Sequence, residues 1–394
     1  MLIYVAIFLF LLIPVIRFDL MKIEGNKSLW FYSSLIILIL LAGLRYRVGS
    51  DTLIYMRQFN SNPSMRELST FNFRTAEYNP LWYIFNSPFV TMKSFTMFQI
   101  AHATVVNSIF FWFFRKYVPT AYFTAIFVYY FGYFFYFNMD VLRESLCVGI
   151  LLLAYPYLEK KKFIQYYLLC IVALFMHMSA IVMFVIPFTL IFKRDNIYIF
   201  VCVFCSLICL LLIFDIVSFI LSIAFEGIIA EKINSYLHRD APNLFGIALQ
   251  FLTMLPVLLV TFVRNRNHYN NDKTIGAILL MLIAIQTVGM SIAAFVRFNN
   301  YLAPFCIVFI INTFYLHYWD MRRHFKLLMI VYCALFVYAF SLSRFYFKSR
   351  SEDYPGGRHY HTYIPYHSIF DPVEDERRET LIKNMRSNDM LIKF

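Results

Sequence analysis

Long apolar runs without charge, separated by short polar joints, dominate the chain. A membrane-crossing helix needs about 20 predominantly apolar residues, with a range of about 17–25. Runs that meet or approach this length predict twelve spans, at 1–16, 29–44, 95–114, 120–137, 141–158, 163–177, 179–192, 197–214, 246–263, 275–295, 299–317 and 326–343. Several are slightly short, and aromatic or snorkelling ends extend them. The first starts at Met1 with no basic stretch before it and no small-residue cleavage site after it, so it reads as a retained helix. The expected fold class is an all-α polytopic integral membrane protein with about 12 transmembrane helices, forming a single membrane domain over 1–394.

The joints differ in charge. Arg17 to Lys27, Arg115-Lys116, Lys160-Lys161-Lys162, Lys193-Arg194, Arg264 to Lys273, and Arg322-Arg323 with Lys326 are short and basic. The positive-inside rule puts this alternate set in the cytoplasm and both termini outside. Three longer polar segments then fall on the outer face, at 45–94, 215–245 and the C-terminal tail 344–394. The first holds an aromatic-rich stretch, Leu81 to Val90, flanked by Pro80 and broken by Pro88; it is expected as a short interfacial or re-entrant helix. The second reads as amphipathic, with Glu226, Glu231, Lys232, His238 and Arg239 among aliphatic residues. The tail ends in a mixed-charge, helix-like stretch from Glu374. Ordinary connections are short, and long ordered loops often carry function. The chemistry is therefore expected on the outer face.

Composition agrees with this class. The 394 residues are 61% hydrophobic and only 15% charged, whereas a soluble domain is nearer half apolar and a quarter charged. The net charge of +12 would suggest nucleic acid as partner of a soluble protein. Here the basic residues fill the joints and no nucleic-acid motif is present, so the expected partner is the lipid bilayer and not nucleic acid. The seven cysteines lie inside apolar runs and form no disulfide framework. Cys202, Cys205 and Cys209 share a helix face, but no histidine or carboxylate joins them there. No P-loop, Rossmann glycine pattern, zinc spacing or Gly-x-Ser-x-Gly element occurs, so no cofactor or metal is expected.

The polar groups that need a reason sit at run ends. Arg45, Arg47, Asp51 and Arg57 follow the apolar run Leu29–Leu44, with Gly49 between them. They read either as an interface anchor with an Arg–Asp pair or as an anion site, since guanidinium forks match phosphate. Asp140, Arg143 and Glu144 open another run; Asp140 and Arg143 are spaced to pair on one helix face, or Arg143 faces a cavity. His177 lies at a hairpin apex with Ser179 nearby, as a structural hydrogen-bonder or a general base. Arg297 and Tyr301 are one helical turn apart. Tyr363-Ile364-Pro365-Tyr366-His367-Ser368 offers a sugar-stacking platform or simple packing. His102 and Asn107 are weaker candidates.

Taken in order, Arg45-x-Arg47-Val48-Gly49-x-Asp51-x-x-x-Tyr55, Arg143, Ala173-x-x-x-His177-x-Ser179, Arg297-x-x-x-Tyr301 and Pro365-Tyr366 resemble the EpsG-like family, which belongs with the Wzy-type polymerases of bacterial O-antigen and exopolysaccharide. The resemblance implies a glycosyltransferase of the inner (plasma) membrane with its active site on the periplasmic face. It implies transfer of a growing glycan from undecaprenyl diphosphate to a lipid-linked repeat unit, without a metal, and allows a chain-length regulator protein as partner. Arg45, Arg47, Arg143 and Arg297 would hold the diphosphate. His177 is the first choice of base and Asp51 the second. Tyr55, Tyr301, Tyr363 and Tyr366 would line the substrate site. The rival readings are a lipid-linked oligosaccharide flippase, which should carry its arginines through a central cavity, an O-antigen ligase, and a polyprenyl-phosphate-dependent glycosyltransferase.

Overall fold

The computed structural model describes residues 2–73, 76, 78–190, 297–318 and 358–389, with Ile275, Ile278, Met281 and Ile285. The chain divides into two compact units, Met1–Ile181 with Leu342–Met390, and Val182–Ser341 with Leu391–Phe394. Among the described residues all regular structure is helical, and extended pairing is limited to isolated bridges Arg45–Ser368 and Ser368–Asp371.

The first unit opens with α1 (Leu2–Pro14), which passes into a π-helical stretch, Val15–Leu20. There follow α2 (Lys27–Gly43), α3 (Thr52–Ser61), α4 (Pro80–Thr91), α5 (Phe95–Tyr117) and α6 (Tyr122–Tyr129). Two π-helical stretches, Tyr130–Phe134 and Tyr136–Asp140, carry α6 onward to α7 (Leu142–Glu159) and α8 (Phe163–Met176). The second unit contains α9 (Val182–Val185), a 3-10 stretch at Ile186–Leu190, and α10 (Phe298–Tyr318). The tail returns to the first unit with a 3-10 turn, His359–Thr362, and α11 (Glu376–Asp389).

The runs predicted at 95–114, 163–177 and 299–317 are α5, α8 and α10 to within a few residues. The short helix expected at Leu81–Val90 is α4, with Pro80 in its first turn, where a missing N–H costs nothing. The run at 179–192 is not one helix but a series of α and 3-10 pieces, interrupted by Pro187. The runs at 197–214, 246–263 and 326–343, most of 275–295, and the 215–245 loop lie outside the described residues. Leu2–Leu20 and Phe95–Tyr117 are long and apolar enough to cross a membrane, while Lys27–Gly43, Phe163–Met176 and Phe298–Asn312 are shorter apolar helices. The described part therefore supports an apolar helical protein without reaching twelve spans.

Helix α5 is the hub of the first unit and packs against α2, α4, α6 and α7. Its buried stripe runs through Phe98, His102, Val106, Phe110 and Phe114, every fourth residue, which keeps the side chains on one face. Gly43 lets α2 close onto α5, because a Cβ there would lie 2.9 Å from the Ile100 Cα. Polar side chains inside this bundle find partners. Asn107 Nδ2 donates to Asn138 Oδ1 at 2.7 Å, and the Tyr129 hydroxyl bridges the same pair. His102 Nε2 lies 2.9 Å from the Leu142 carbonyl and 3.1 Å from Ser145 Oγ. These contacts make His102 and Asn107 structural, since an unpaired buried polar group costs about 1–3 kcal/mol. On α8 the exposed side is apolar, with Ile164, Leu168, Ile171 and Phe175 at helical spacing. An outward apolar stripe reverses the pattern of a soluble surface helix and suits hydrocarbon.

Candidate functional site

The turn between α2 and α3 is built by its own backbone and by the tail. Gly49 has φ +113°, and a Cβ there would sit 2.8 Å from the Met139 carbonyl oxygen. Arg47 adopts φ +55°, a left-handed conformation that non-glycine residues take only when the surroundings hold them there. The tail supplies that hold. Ile369 N–H donates to the Leu44 carbonyl at 2.9 Å, Tyr46 N–H to His367 at 2.8 Å, and Gly49 N–H to Thr362 at 2.9 Å. Arg378, buried in α11, donates to the carbonyls of Arg47 at 3.2 Å, of His361, and of Pro365.

The two leading arginines of the sequence motif are engaged within this knot. Arg45 is 1% exposed. Its Nε donates to the Val48 carbonyl at 3.2 Å and its Nη1 to the Ala42 carbonyl, which leaves Nη2 buried without a partner. Burial pulls its guanidinium down to about 10, so it remains charged at neutral pH. Arg47 pairs with Glu374 at 2.7 Å and Glu379 at 2.6 Å. Both glutamates belong to the mixed-charge stretch whose partner the sequence does not indicate.

Asp140 ends the π-helical stretch and is buried. The expected Asp140–Arg143 pair does not form, because Val141 breaks the helix between them at φ −105°, ψ +59°. Asp140 instead accepts from the Ser50 N–H at 2.7 Å and from the Tyr363 hydroxyl. Tyr363 is itself buried, with its ring 5.8 Å from Phe135. Tyr366 is half-buried, donates to the Leu41 carbonyl at 3.0 Å, and lies 5.8 Å from the Tyr4 ring. Of the two readings open for these tyrosines, the contacts match packing. Tyr363 is enclosed by these contacts, whereas Tyr366 keeps part of its surface exposed.

A second, less enclosed corner adjoins the knot. The Arg143 guanidinium carbon lies 4.3 Å from the Tyr78 ring centroid and 6.0 Å from that of Trp82. The buried Tyr55 hydroxyl meets Arg143; burial pushes it up to about 12, against the pull of the Arg143 charge. Asp51 occupies the N-cap position of α3 without a side-chain cap bond, and its charge reaches both Tyr55 and Asp140, so it stands between corner and knot. Helices α7 and α8 form an antiparallel hairpin in which Cys147 Sγ lies 3.3 Å from the Ala173 carbonyl. Arg143 is one turn from Cys147, and His177 one turn from Ala173, both away from the Lys160–Lys162 loop. The two therefore share one end of the hairpin. Asn79 Nδ2 donates to the Leu174 carbonyl at 2.8 Å and ties the start of α4 to this end.

His177 is held in one tautomer. The Ser179 backbone N–H donates to His177 Nδ1 at 3.1 Å, with Ser179 Oγ 2.7 Å from the same nitrogen. Nδ1 is thus the acceptor, and a neutral ring carries its proton on Nε2.

Arg297 and Tyr301 belong to the second unit, where Arg297 is exposed just before α10 and Tyr301 is buried. Arg57 is exposed on α3. The residues that sequence reasoning misses are Tyr78, Trp82 and Arg378. Asn79-Pro80, a helix-start signal directly after Tyr78, was the available cue for the first two.

Among the described residues, fold and site define an apolar, all-helical protein with a cationic, aromatic polar corner at the end of a helical hairpin. A family model described as the EpsG family matches residues 28–368, and the chain belongs to that family. Membership places it with polysaccharide-polymerase-like membrane proteins. No curated protein and no solved structure matches it.

Proposed function

We propose that the protein is a polysaccharide polymerase. It moves a growing glycan from undecaprenyl diphosphate onto a lipid-linked repeat unit, at the periplasmic face of a bacterial inner membrane. Family membership supports the reaction class. The observation that carries the reading is Arg143, half-buried, stacked on Tyr78 and at the same helix-hairpin end as His177. In the reaction an acceptor hydroxyl oxygen bonds to the anomeric carbon. The bond from that carbon to the diphosphate oxygen breaks, and its electron pair leaves with the diphosphate. The hydroxyl proton passes to a base. Arginine N–H donors aimed at the departing phosphate stabilise the charge where it grows, so Arg143 takes the leading part.

Arg45 and Arg47 act one step back, by holding the turn that presents Asp51. The Ser179 contacts at His177 Nδ1 favour Asp51 over His177 as the proposed base. A neutral ring with its proton on Nε2 has no lone pair there to accept another, so His177 serves as a donor to phosphate oxygen and Asp51 is the base. Arg297 and Tyr301 remain candidates from the family motif, and a chain-length regulator remains a proposed partner.

The reading is tested by gel analysis of surface glycan in a deletion strain. Chains of a single repeat unit are expected, with long chains restored by the intact gene; a normal long-chain ladder in the deletion strain overturns it. The donor role of His177 is tested separately. His177→Gln keeps an N–H donor and is expected to stay within about tenfold of wild-type polymerisation, whereas His177→Leu falls by about 100-fold. Equal loss in both variants would return the base role to His177.

A further inference from the structure

We propose that Tyr78 is a positioning residue, whose ring holds the Arg143 guanidinium flat so that its free N–H edge receives a diphosphate. The identity of the substrate rests on the polymerase reading; the anion site itself does not. The Arg143 guanidinium carbon lies over the Tyr78 ring, 4.3 Å from its centroid, and Trp82 extends the same aromatic shelf at 6.0 Å. The shelf is itself anchored. Tyr78 N–H donates to the Tyr83 hydroxyl at 3.2 Å, and Gln58 Nε2 donates to the Tyr78 hydroxyl. The next residue, Asn79, is bonded to α8.

The physical reason is preorganisation. A free arginine side chain carries about 2 kcal/mol of rotamer entropy, which an anion would otherwise have to remove on binding. A ring face takes only the face of the guanidinium and leaves its in-plane N–H donors available. Tyr55 occupies part of that plane, and Arg143 Nε is buried without a partner. A diphosphate oxygen pair fits the remaining edge as a carboxylate or phosphate fits any arginine fork. Arg143 pairs with no carboxylate among the described residues, in contrast to Arg47 with its two glutamates.

The test uses the purified full-length protein in detergent, with inorganic diphosphate as the probe and calorimetry as the readout. Wild type binds diphosphate, and Arg143→Ala abolishes the binding. Tyr78→Phe keeps the ring and stays within about twofold, whereas Tyr78→Leu weakens binding by about 5- to 30-fold. Tyr78→Gln, which keeps a polar side chain without a ring, replaces Tyr78→Leu if the latter fails to insert, with the same expected loss.

Wild-type affinity in Tyr78→Leu or Tyr78→Gln overturns the positioning role, as does an equal loss in Tyr78→Phe. Absence of diphosphate binding by the wild type overturns the site. Weakened binding in Tyr78→Leu, together with a normal ladder in the deletion strain, upholds the shelf while the polymerase reading falls.

Discussion

Arg143→Ala is expected to insert at wild-type level and to lower glycan polymerisation by about 10²–10³-fold, leaving surface chains of a single repeat unit. The size follows from the position of the charge. A guanidinium matters most where its donors face charge that develops only in the transition state, and where water is already partly excluded. Arg143 is half-buried between Tyr78, Trp82 and Tyr55. Arg143→Lys is not expected to rescue, because an ammonium presents a point charge rather than a planar fork and does not stack in the same way. Long chains from Arg143→Ala at wild-type abundance would remove Arg143 from the reaction.

Asp140→Ala is expected to be the most damaging change that touches no substrate. It leaves the Ser50 N–H and the Tyr363 hydroxyl without their acceptor in a buried place. Each loss is worth about 1–3 kcal/mol, so the knot loses roughly 2–6 kcal/mol. The tail should then become sensitive to limited proteolysis around 358–379, and the thermal midpoint of the solubilised protein should fall. A tail as resistant as wild type would show that the knot is held elsewhere. The same residue carries a pH signature. Burial, with the nearby Asp51 charge, holds the Asp140 carboxyl above the ordinary carboxylate range, although bonds from Tyr363 and Ser50 pull it down. Its folded value lies above the unfolded value of about 3.9. The stability it contributes is therefore full below that pH and is lost as pH rises through the raised value. The wild-type midpoint, relative to Asp140→Asn, should decline from about pH 4 toward neutrality; a difference independent of pH would mean an ordinary carboxylate.

Much of the helical layout was legible because it is a local property. The apolar run at 95–114 and the basic pair Arg115-Lys116 mark α5, and Asn79-Pro80 marks the start of α4. The Arg45–Asp51 stretch was also legible as a place of unusual polar density. Its internal division was not. Arg45 and Arg47 look equivalent in sequence, yet one is sealed against backbone carbonyls and the other is paired to a segment more than 300 residues away. Asp140 and Arg143 have the spacing of an ion pair, yet the break at Val141 turns them toward different partners.

By itself the sequence determined the family, the helical class, and the run ends where polar chemistry collects, because apolar length and charge at a helix end are read within one or two turns. Only the tertiary structure decided which charges are spent inside the protein and which face outward. Closure of the tail onto the α2–α3 turn engages Arg45, Arg47, Asp140 and Tyr363 with one another's elements, and the antiparallel α7–α8 hairpin brings Arg143 and His177 to one end. Such pairings depend on contacts between distant segments, such as the 223-residue separation between Tyr363 and Asp140, and no local spacing encodes them.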